Sequence, residues 1–386
     1  MVTSAQNAAT VEGLTPNQIA IANALTGQLV SGSLGATGAG GLADTAFATG
    51  SLGSVSDLSE TLDELNVEIA ESGIQAFQNA QSLFTNGLLD QPCAPNGDTR
   101  KSCEDNHLWT SVEYSQFDQN GSANNIGFES DVFEVSAGIN NIELGAAKVG
   151  VVGSFSDLST ESNVDNQDRV DAQIFRIATH GRLHVNEKGQ GLNAQLDGVI
   201  GFATGSNEVE QNIAASAVSL SSLQTGDAEI ESFSGVARVQ ANGFNGNSWI
   251  VKPFVSGGFD LLSQNALTLG SGATAINIDN VDVDRFTVGY GASFDSEFGE
   301  GGYVNLRATG FRHFGDTQIG LSSQFTASSA SAAGFNVVGE EIEDQFLFEG
   351  GVGKAFANDW NINASAFGEV GDISAYGARL SVGKTF

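Results

Sequence analysis

The sequence predicts an all-β transmembrane protein, a closed antiparallel up-and-down barrel of about twelve strands with helical segments before it. Three observations support this prediction. Between His107 and Phe386, apolar residues recur at every second position, which is the period of a β-strand. No stretch approaches the roughly 20 consecutive apolar residues that a membrane-spanning helix needs. Short turns also alternate with long polar connections, as they do between the two rims of a transmembrane barrel.

The alternation is clearest in three segments, 231–240, 284–294 and 376–386. In each, one face is apolar with aromatic residues near the ends, and the other face is small, polar or arginine-bearing. The spacing alone does not say whether the apolar face points inward, as in a soluble sandwich, or outward into lipid. Because every backbone group in hydrocarbon must be paired, a closed sheet is the only β-structure that can span a membrane.

Connection lengths support the barrel interpretation. Candidate strands are centred near residues 112, 132, 150, 176, 196, 236, 254, 288, 308, 348, 365 and 380. Short turns are expected at Asn140–Asn141, 186–189, 242–247, 298–302 and 357–359, and long loops at 156–168, 205–228, 262–277 and 316–340. Trp109, Trp249 and Trp360 fall near short-turn ends. They are candidates for an interfacial girdle or, equally, for packed aromatic residues.

The charge distribution excludes one class of partner and marks a boundary. The formal net charge is −31, which argues against nucleic acid because phosphate contacts need clustered Lys and Arg. All 15 Lys and Arg residues lie at or after Arg100, whereas the first 99 residues carry ten acidic side chains. This shift in charge predicts a domain boundary near residues 95–105.

Two cysteines, Cys93 and Cys103, flank a short Pro-Asn-Gly turn. They are candidates for a disulfide-closed loop, which would require an oxidising compartment. Free thiols or half of a metal site are the alternatives. The N-terminus has neither the positive nor the apolar region of a signal peptide, so we expect any export signal to lie upstream of this chain.

Helical patterns occupy the first 90 residues. Thr15, Pro16 and Gln18 form a capping-box start for a short helix over 14–27, and a Gly/Ser/Ala-rich stretch at 31–55 predicts a linker. Leu58, Leu62, Leu65 and Ile69, followed by Ile74, Phe77, Phe84 and Leu88, continue the helical spacing with a break at Ser72–Gly73. A helical hairpin and a partner-binding helix both fit this spacing.

Enzyme signatures are missing from the sequence. There is no Gly-x-Ser-x-Gly nucleophile motif, and Gly383-Lys384-Thr385 lacks the earlier glycine and the following helix of a phosphate-binding loop. The four histidines show no His-Glu-x-x-His spacing. We therefore expect no enzyme, no cofactor and no metal.

Several segments resemble a known family when taken in order. Tyr376-Gly-Ala-Arg-Leu-Ser-Val-Gly-Lys-Thr-Phe386 resembles the C-terminal strand of bacterial outer-membrane proteins, although Lys384 departs from that pattern. Four further segments are similar to parts of the β-barrel translocator domain of bacterial autotransporters, the proteins of type V secretion. They are the helix at 14–25, Trp109-Thr-Ser-Val-Glu-Tyr, Phe175-Arg-Ile-Ala-Thr-His-Gly-Arg-Leu-His-Val and Trp249-Ile-Val-Lys-Pro-Phe-Val-Ser-Gly-Gly-Phe.

The resemblance implies a twelve-stranded barrel in the outer membrane of a Gram-negative bacterium, with a helix threaded through the lumen at about 72–92. It implies export or surface anchoring of an upstream passenger, and insertion by the barrel assembly machinery with periplasmic chaperones. Lipid, lipopolysaccharide and the chain's own passenger would be further partners, with a monomer expected. A free-standing outer-membrane porin or channel is the alternative.

The resemblance also assigns roles to residues and domains. The assembly signal would comprise Tyr376, Leu380, Val382 and Phe386; the pore helix would carry Ile74, Phe77, Gln78, Gln81, Phe84 and Asn86. Candidates for lining the lumen are Glu113, Arg176, Arg238, Arg285, Arg307, Glu349 and Arg379. The expected domains are a passenger remnant and linker at 1–55, a helical linker and pore helix at 56–104, and the barrel at 105–386.

Overall fold

The computed structural model describes residues 13–30, 54–89, 106–122, 125–163, 168–185, 194–213, 222–241, 243–246, 248–271, 274–326, 334–356 and 358–386. Its helices are α1 (Pro16–Val30), α2 (Val55–Asp63) and α3 (Glu68–Leu89). Its long strands are β1 (His107–Gln119), β2 (Phe128–Leu144), β3 (Ala147–Ser162), β4 (Arg169–Val185), β5 (Ala194–Ile213), β6 (Ser222–Ala241), β7 (Trp249–Gln264), β8 (Val281–Phe298), β9 (Gly302–Gly315), β10 (Asp344–Ala355), β11 (Trp360–Gly371) and β12 (Ser374–Thr385).

The twelve long strands form one closed antiparallel barrel. Each strand pairs with its neighbour in the sequence, and β12 pairs back onto β1 with Arg379 opposite Glu113. The two-residue strand Phe244–Asn245 adds to β7 at the rim. A separate sheet, which we call the loop sheet, contains Leu267–Leu269, Ile276–Ile278, Gly320–Phe325 and Gly334–Val338. The predicted fold class is confirmed, and all twelve candidate strand centres fall within these strands.

The two rims of the barrel differ as the connection lengths predicted. Tight turns such as Gly145–Ala146 and Gly299–Gly301 lie on the rim where β1 begins and β12 ends, and the loop sheet lies at the other rim. The predicted turn at Asn140–Asn141 is wrong. These residues form a bulge within β2, where the register shifts and Asn141 takes a φ of 64°. Asparagine tolerates this left-handed backbone, so the same signal serves a bulge as well as a turn.

Two of the four predicted long loops, 156–168 and 205–228, are in large part strand. β3 runs to Ser162, β5 runs to Ile213, and β6 begins at Ser222, so polar stretches expected to be loops extend the wall of the barrel. The remaining two, near 262–277 and 316–340, supply the loop sheet. The strand ends of β2–β8 beside the long loops, which we call the upper wall, therefore rise above the rest of the barrel.

These strands were mistaken for loops because their apolar and polar residues change faces partway along the strand. On β2, the outward side chains change from acidic Glu129 and Asp131 to apolar Phe133 and Val135, while the inward ones change from Phe128 and Val132 to Glu134 and Ser136. Strands β4 and β6 make the same exchange. The upper wall has an apolar interior and an acidic exterior, as in a water-soluble protein. In the rest of the barrel, which we call the lower barrel, the interior is polar and the exterior is apolar.

The lower barrel is the membrane-spanning part. Its outward side chains are apolar and exposed, including Phe175, Ile200, Phe233, Val288, Phe348 and Leu380. Its inward side chains are buried and polar or charged. Lipid is the only solvent that makes an exposed apolar band favourable.

The helices close the barrel. Cap bonds between Thr15 and Gln18 confirm the capping box that begins α1, and Gln18 also donates to Asp63 on α2. Helix α3 lies in the lumen, with nearly all of its residues buried. The expected break at Ser72–Gly73 is wrong: α3 runs through Gly73 and the chain turns at Glu64–Val67 instead. In the described part of the chain, no helix is long and apolar enough to cross a membrane.

Candidate functional site

The inner wall of the lower barrel carries a series of ion pairs between strands. Strand register places Glu113 opposite Arg379 and Arg307 opposite Glu349, with contacts of 2.5 Å and 2.8 Å. Arg285 faces Asp260 at 3.8 Å. Because a buried charge is tolerated only when it is paired and hydrogen-bonded, these pairs make a polar wall compatible with a dry, helix-filled lumen.

Arg176 links the wall to the helix. Its Nη1 lies 2.8 Å from Glu134 Oε2 two strands away, and its Nε donates to Gln81 Oε1 of α3 at 2.8 Å. Gln81 Nε2 in turn donates to Ser234 Oγ on β6 at 2.8 Å. The ring of Phe84 stacks on the guanidinium at 5.5 Å. One amide on α3 therefore ties the helix to two strands of the same wall, β4 and β6.

Arg238 holds the far end of the helix. Its Nη2 donates to the backbone oxygen of Leu89 at 2.7 Å and lies 3.1 Å from Asp197, which also binds Arg182. The last carbonyls of a helix lack partners within the helix and carry the negative end of its dipole. A guanidinium at this position satisfies both requirements.

The remaining pore-helix candidates divide between two environments. Ile74 and Phe77 are fully buried in the apolar cluster beneath the upper wall, whereas Gln78 lies close to Asp260 of the polar wall. The side-chain amide of Asn86 donates to Ser82, one turn back on the same helix. The first half of α3 is apolar and its second half is polar. The barrel interior around it changes in the same order, from the apolar upper wall to the polar lower barrel.

The outer end of α3 is rich in buried carboxyl groups. Glu68 accepts from the backbone nitrogen of Ile126 at 2.6 Å and from Asn66 Nδ2 at 2.9 Å. Burial raises the pKa of Glu68 to about 7 despite these hydrogen bonds. Burial, and then the neighbouring Glu68, raise the pKa of Glu71 well above its usual range.

A cavity of about 90 Å³ remains below the helix, at the short-turn rim. Leu89, Trp109, His180 and Arg182 are among the residues that line it. Trp109 is not in an interfacial girdle: it points inward and donates to Asn140 Oδ1 at 2.9 Å. Trp249 and Trp360 are partly exposed on the outer surface near that rim.

The C-terminal residues named as the assembly signal lie on the outer face. Tyr376, Leu380 and Phe386 are exposed, and Val382 shares their side of β12. Lys384 reaches along the surface and places its Nζ 5.7 Å from the Trp360 ring. Cys93 and Cys103 lie outside the described residues.

Sequence reasoning named the arginines but missed most of their acidic partners. Glu134, Asp197 and Asp260 all point inward. The inward parity of their strands could have revealed them, but Asp260 alternates with the apolar residues Phe254 and Leu262 on the same face. Because this face carries both apolar and acidic residues, the sequence alone does not show that it points inward; the pairing with the neighbouring strand does.

Comparison with known proteins places this geometry in a family. The model of the autotransporter beta-domain matches residues 108–366. The translocator domain of autotransporter NalP from Neisseria meningitidis has a similar structure, with a TM-score of 0.64 at 11% identity over 83% of this chain and 99% of that one. The transport unit of the autotransporter AIDA-I from Escherichia coli gives a TM-score of 0.53 at 9% identity over 81% and 98%.

No curated protein matches the chain. The family match covers more than half of the sequence, and the closed barrel carries its apolar face outward and a helix inside. The chain belongs to the autotransporter beta-domain family and is a translocator barrel of the Gram-negative outer membrane.

Proposed function

We propose that α3 is the segment left in the lumen once an upstream passenger has been exported, so that the passenger remains outside the cell. One observation carries this proposal: α3 occupies the lumen and is bonded through Gln81 to β4 and β6 of the barrel wall, while α1 and α2 lie at the long-loop rim. The chain upstream of α3 is therefore already on the far side of the barrel from the end of β12.

The three domains follow the same division. Residues 1–55 are the end of the passenger and its linker, 56–104 are the helical linker and pore helix, and 105–386 are the barrel. The change from an acidic N-terminal part to a part containing all the Lys and Arg residues supports this boundary. A disulfide between Cys93 and Cys103 would close a small loop between the last two domains.

Insertion depends on other proteins. The outward row Tyr376, Leu380, Val382 and Phe386 is the signal recognised by the barrel assembly machinery, after periplasmic chaperones have kept the strands apart. Once inserted, the barrel is a monomer surrounded by lipid and lipopolysaccharide. Its task is transport and anchoring without catalysis.

A free-standing porin is the alternative, and electrical conductance separates the two. In planar bilayers the full chain should conduct weakly because α3 fills the lumen. Deleting residues 55–89 should raise the single-channel conductance severalfold. Deleting residues 1–53 is the control, since it removes more of the chain than the first deletion without removing α3, and it should leave conductance low. Equal conductance of the full chain and the 55–89 deletion would reject the pore-helix role.

A further inference from the structure

At the outer end of α3, several buried oxygen atoms have no hydrogen-bond donor. They are Oδ1 of Asn66, Oε1 of Glu71, Oδ1 of Asn125 and Oε1 of Gln211. Glu71 is 1% exposed and Asn66 is 3% exposed. Leaving a buried polar group unsatisfied is unfavourable, so four unpartnered oxygens in one neighbourhood indicate a ligand that supplies positive charge.

The orientation of the three amides is set by their NH₂ groups. Asn66 Nδ2 donates to Glu68 Oε2 at 2.9 Å, and Asn125 Nδ2 donates to Glu340 Oε2 at 2.8 Å. Gln211 Nε2 donates to the backbone oxygen of Asn66 at 2.8 Å. Turning any of these amides over would bring its oxygen against another acceptor. Within these four residues the unpartnered atoms are therefore all oxygens, the ligands of a hard cation.

Contacts between these residues bring them to one place. Gln211 of β5 bonds to Asn66, Asn66 bonds to Glu68, and Glu68 bonds to the backbone of Ile126, next to Asn125. Glu71 lies three residues after Glu68 and thus on the same face of α3. The group joins the start of α3 to the wall and to the β1–β2 connection.

The segment that follows the loop sheet completes the enclosure. A Cβ added to Gly339 would lie 2.2 Å from the Glu71 carboxylate, so the carboxylate packs directly against the backbone at this glycine. The neighbouring Glu340 binds Asn125. The carboxylate of Glu71 is therefore held between the helix and this segment.

The charges around Glu71 make the need for a cation stronger. Glu68 and Glu340 are the charged side chains that act on it, and both are acidic. The chain before Arg100 contains no Lys or Arg. An ionised carboxylate buried without a positive partner is strongly unfavourable, which leaves protonation or cation binding as the two ways to satisfy it.

We propose that Glu71, Asn66 and Asn125 bind one Ca²⁺ ion, with Glu68 beside them. Ca²⁺ accepts carboxylate and amide oxygens in irregular arrangements, whereas Mg²⁺ demands near-ideal octahedral geometry and keeps its waters. Among the described residues, no three His, Cys, Asp or Glu side chains converge to hold a metal. The site accordingly uses two carboxylates at most, and amide oxygens supply the remaining protein ligands.

Such a site would stabilise the plugged state and goes beyond the secretion role. Its ligands come from α3, from the turn before it and from the β1–β2 connection, so it exists only when α3 is in the lumen. A ligand that binds only the assembled state stabilises it in proportion to the logarithm of its concentration.

Calorimetric titration of Ca²⁺ into the full chain in zwitterionic detergent tests the proposal. The wild type should show one tight site above the weak binding of its many surface acids. Glu71→Gln should weaken that site at least about tenfold. Glu60→Gln is the matched control, because it removes an exposed acid on α2 and should bind Ca²⁺ as the wild type does. Migration on unheated gels verifies that each variant is a folded barrel.

A second variant keeps the test decisive if Glu71→Gln does not fold. Asn125→Ala removes one amide oxygen without changing the charge and should also weaken Ca²⁺ binding. Indistinguishable isotherms for wild type, Glu71→Gln and Asn125→Ala would overturn the proposal. So would a Glu71→Gln protein that is more stable than wild type while Ca²⁺ stabilises neither, since Glu71 would then be buried as the neutral acid.

Discussion

Gln81 is the residue at which the helix and the barrel are most directly joined. Its amide bonds to Arg176 on β4 and to Ser234 on β6, two strands away along the wall. Arg176 is buried with Glu134, and losing one partner of a buried pair is costly because the remaining charge stays in a poor solvent. A single uncharged side chain therefore supports a charged network.

We expect Gln81→Leu to loosen the plug. The change leaves Arg176 Nε and Ser234 Oγ without partners, at about 1–3 kcal/mol for each buried group. Since every 1.4 kcal/mol is a factor of about ten in an equilibrium, brief openings in planar bilayers should become roughly ten times more frequent or more.

Asn86→Leu provides the control for that measurement. Asn86 is also an amide on α3, but its hydrogen bonds run to Ser82 on the same helix. Its replacement should leave the opening frequency close to that of the wild type. Equal effects of the two variants would mean that the bonds of Gln81 to the wall do not hold the helix.

Helix α3 is fitted to the wall by shape as well as by hydrogen bonds. A Cβ at Gly73 would lie 2.8 Å from Val170 Cγ1, and one at Gly87 would lie 2.4 Å from the Arg379 guanidinium. Glycine in a helix costs about 1 kcal/mol relative to alanine. Close approach to β4 explains Gly73, and Gly87 leaves room for the Arg379 side chain of β12; the helical spacing of the sequence reveals neither contact.

Replacing Gly73 with alanine should destabilise the plug although alanine favours helices. Val170 is β-branched and stiff, so the helix must move, and overpacking costs about 1–3 kcal/mol. The double variant Gly73→Ala/Val170→Ala should recover most of the loss, as measured by chemical denaturation in detergent. Additive losses in the double variant would show that the two residues do not compete for the same space.

The whole molecule is divided at the level where the apolar and polar residues of each strand change faces. Below that level the barrel is polar inside and apolar outside, and above it the order is reversed around the cluster formed by α1, α2 and the loop sheet. The outward acids of the upper wall include Glu129, Asp157, Glu161, Glu208, Asp227, Glu229, Asp282 and Asp284. The membrane boundary is therefore marked on the strands themselves.

One pair of substitutions on β5 tests this boundary. Ile200 and Glu208 lie on the same outward face, within the apolar band and on the upper wall respectively. Ile200→Arg should destabilise the barrel in lipid vesicles by about 2–4 kcal/mol, the cost of a basic side chain near the centre of the bilayer. Glu208→Arg should change the free energy of unfolding by less than about 0.5 kcal/mol, as at ordinary surface positions. A large effect at Glu208 would mean that the membrane extends further up the strand.

The sequence was sufficient to predict the elements in which one pattern of apolar and polar residues holds along the whole length. Strand period, the capping box of α1 and the alternation of rims are local signals, and they led to twelve strands and to the inward-facing arginines. It was insufficient where the pattern changes within a strand. The ends of β3, β5 and β6 look like polar loops because their outward residues meet water.

By itself, the sequence determined that the chain is an alternating β-protein with a helical start, since period and capping depend only on neighbouring residues. The tertiary structure alone decided which side of each strand faces lipid and which acid meets which arginine. It also decided that Asn66, Glu71 and Asn125, from three separate parts of the chain, are buried beside Glu68 and Glu340. These features depend on strand register and on the solvent at each level, and neither is encoded in any short segment.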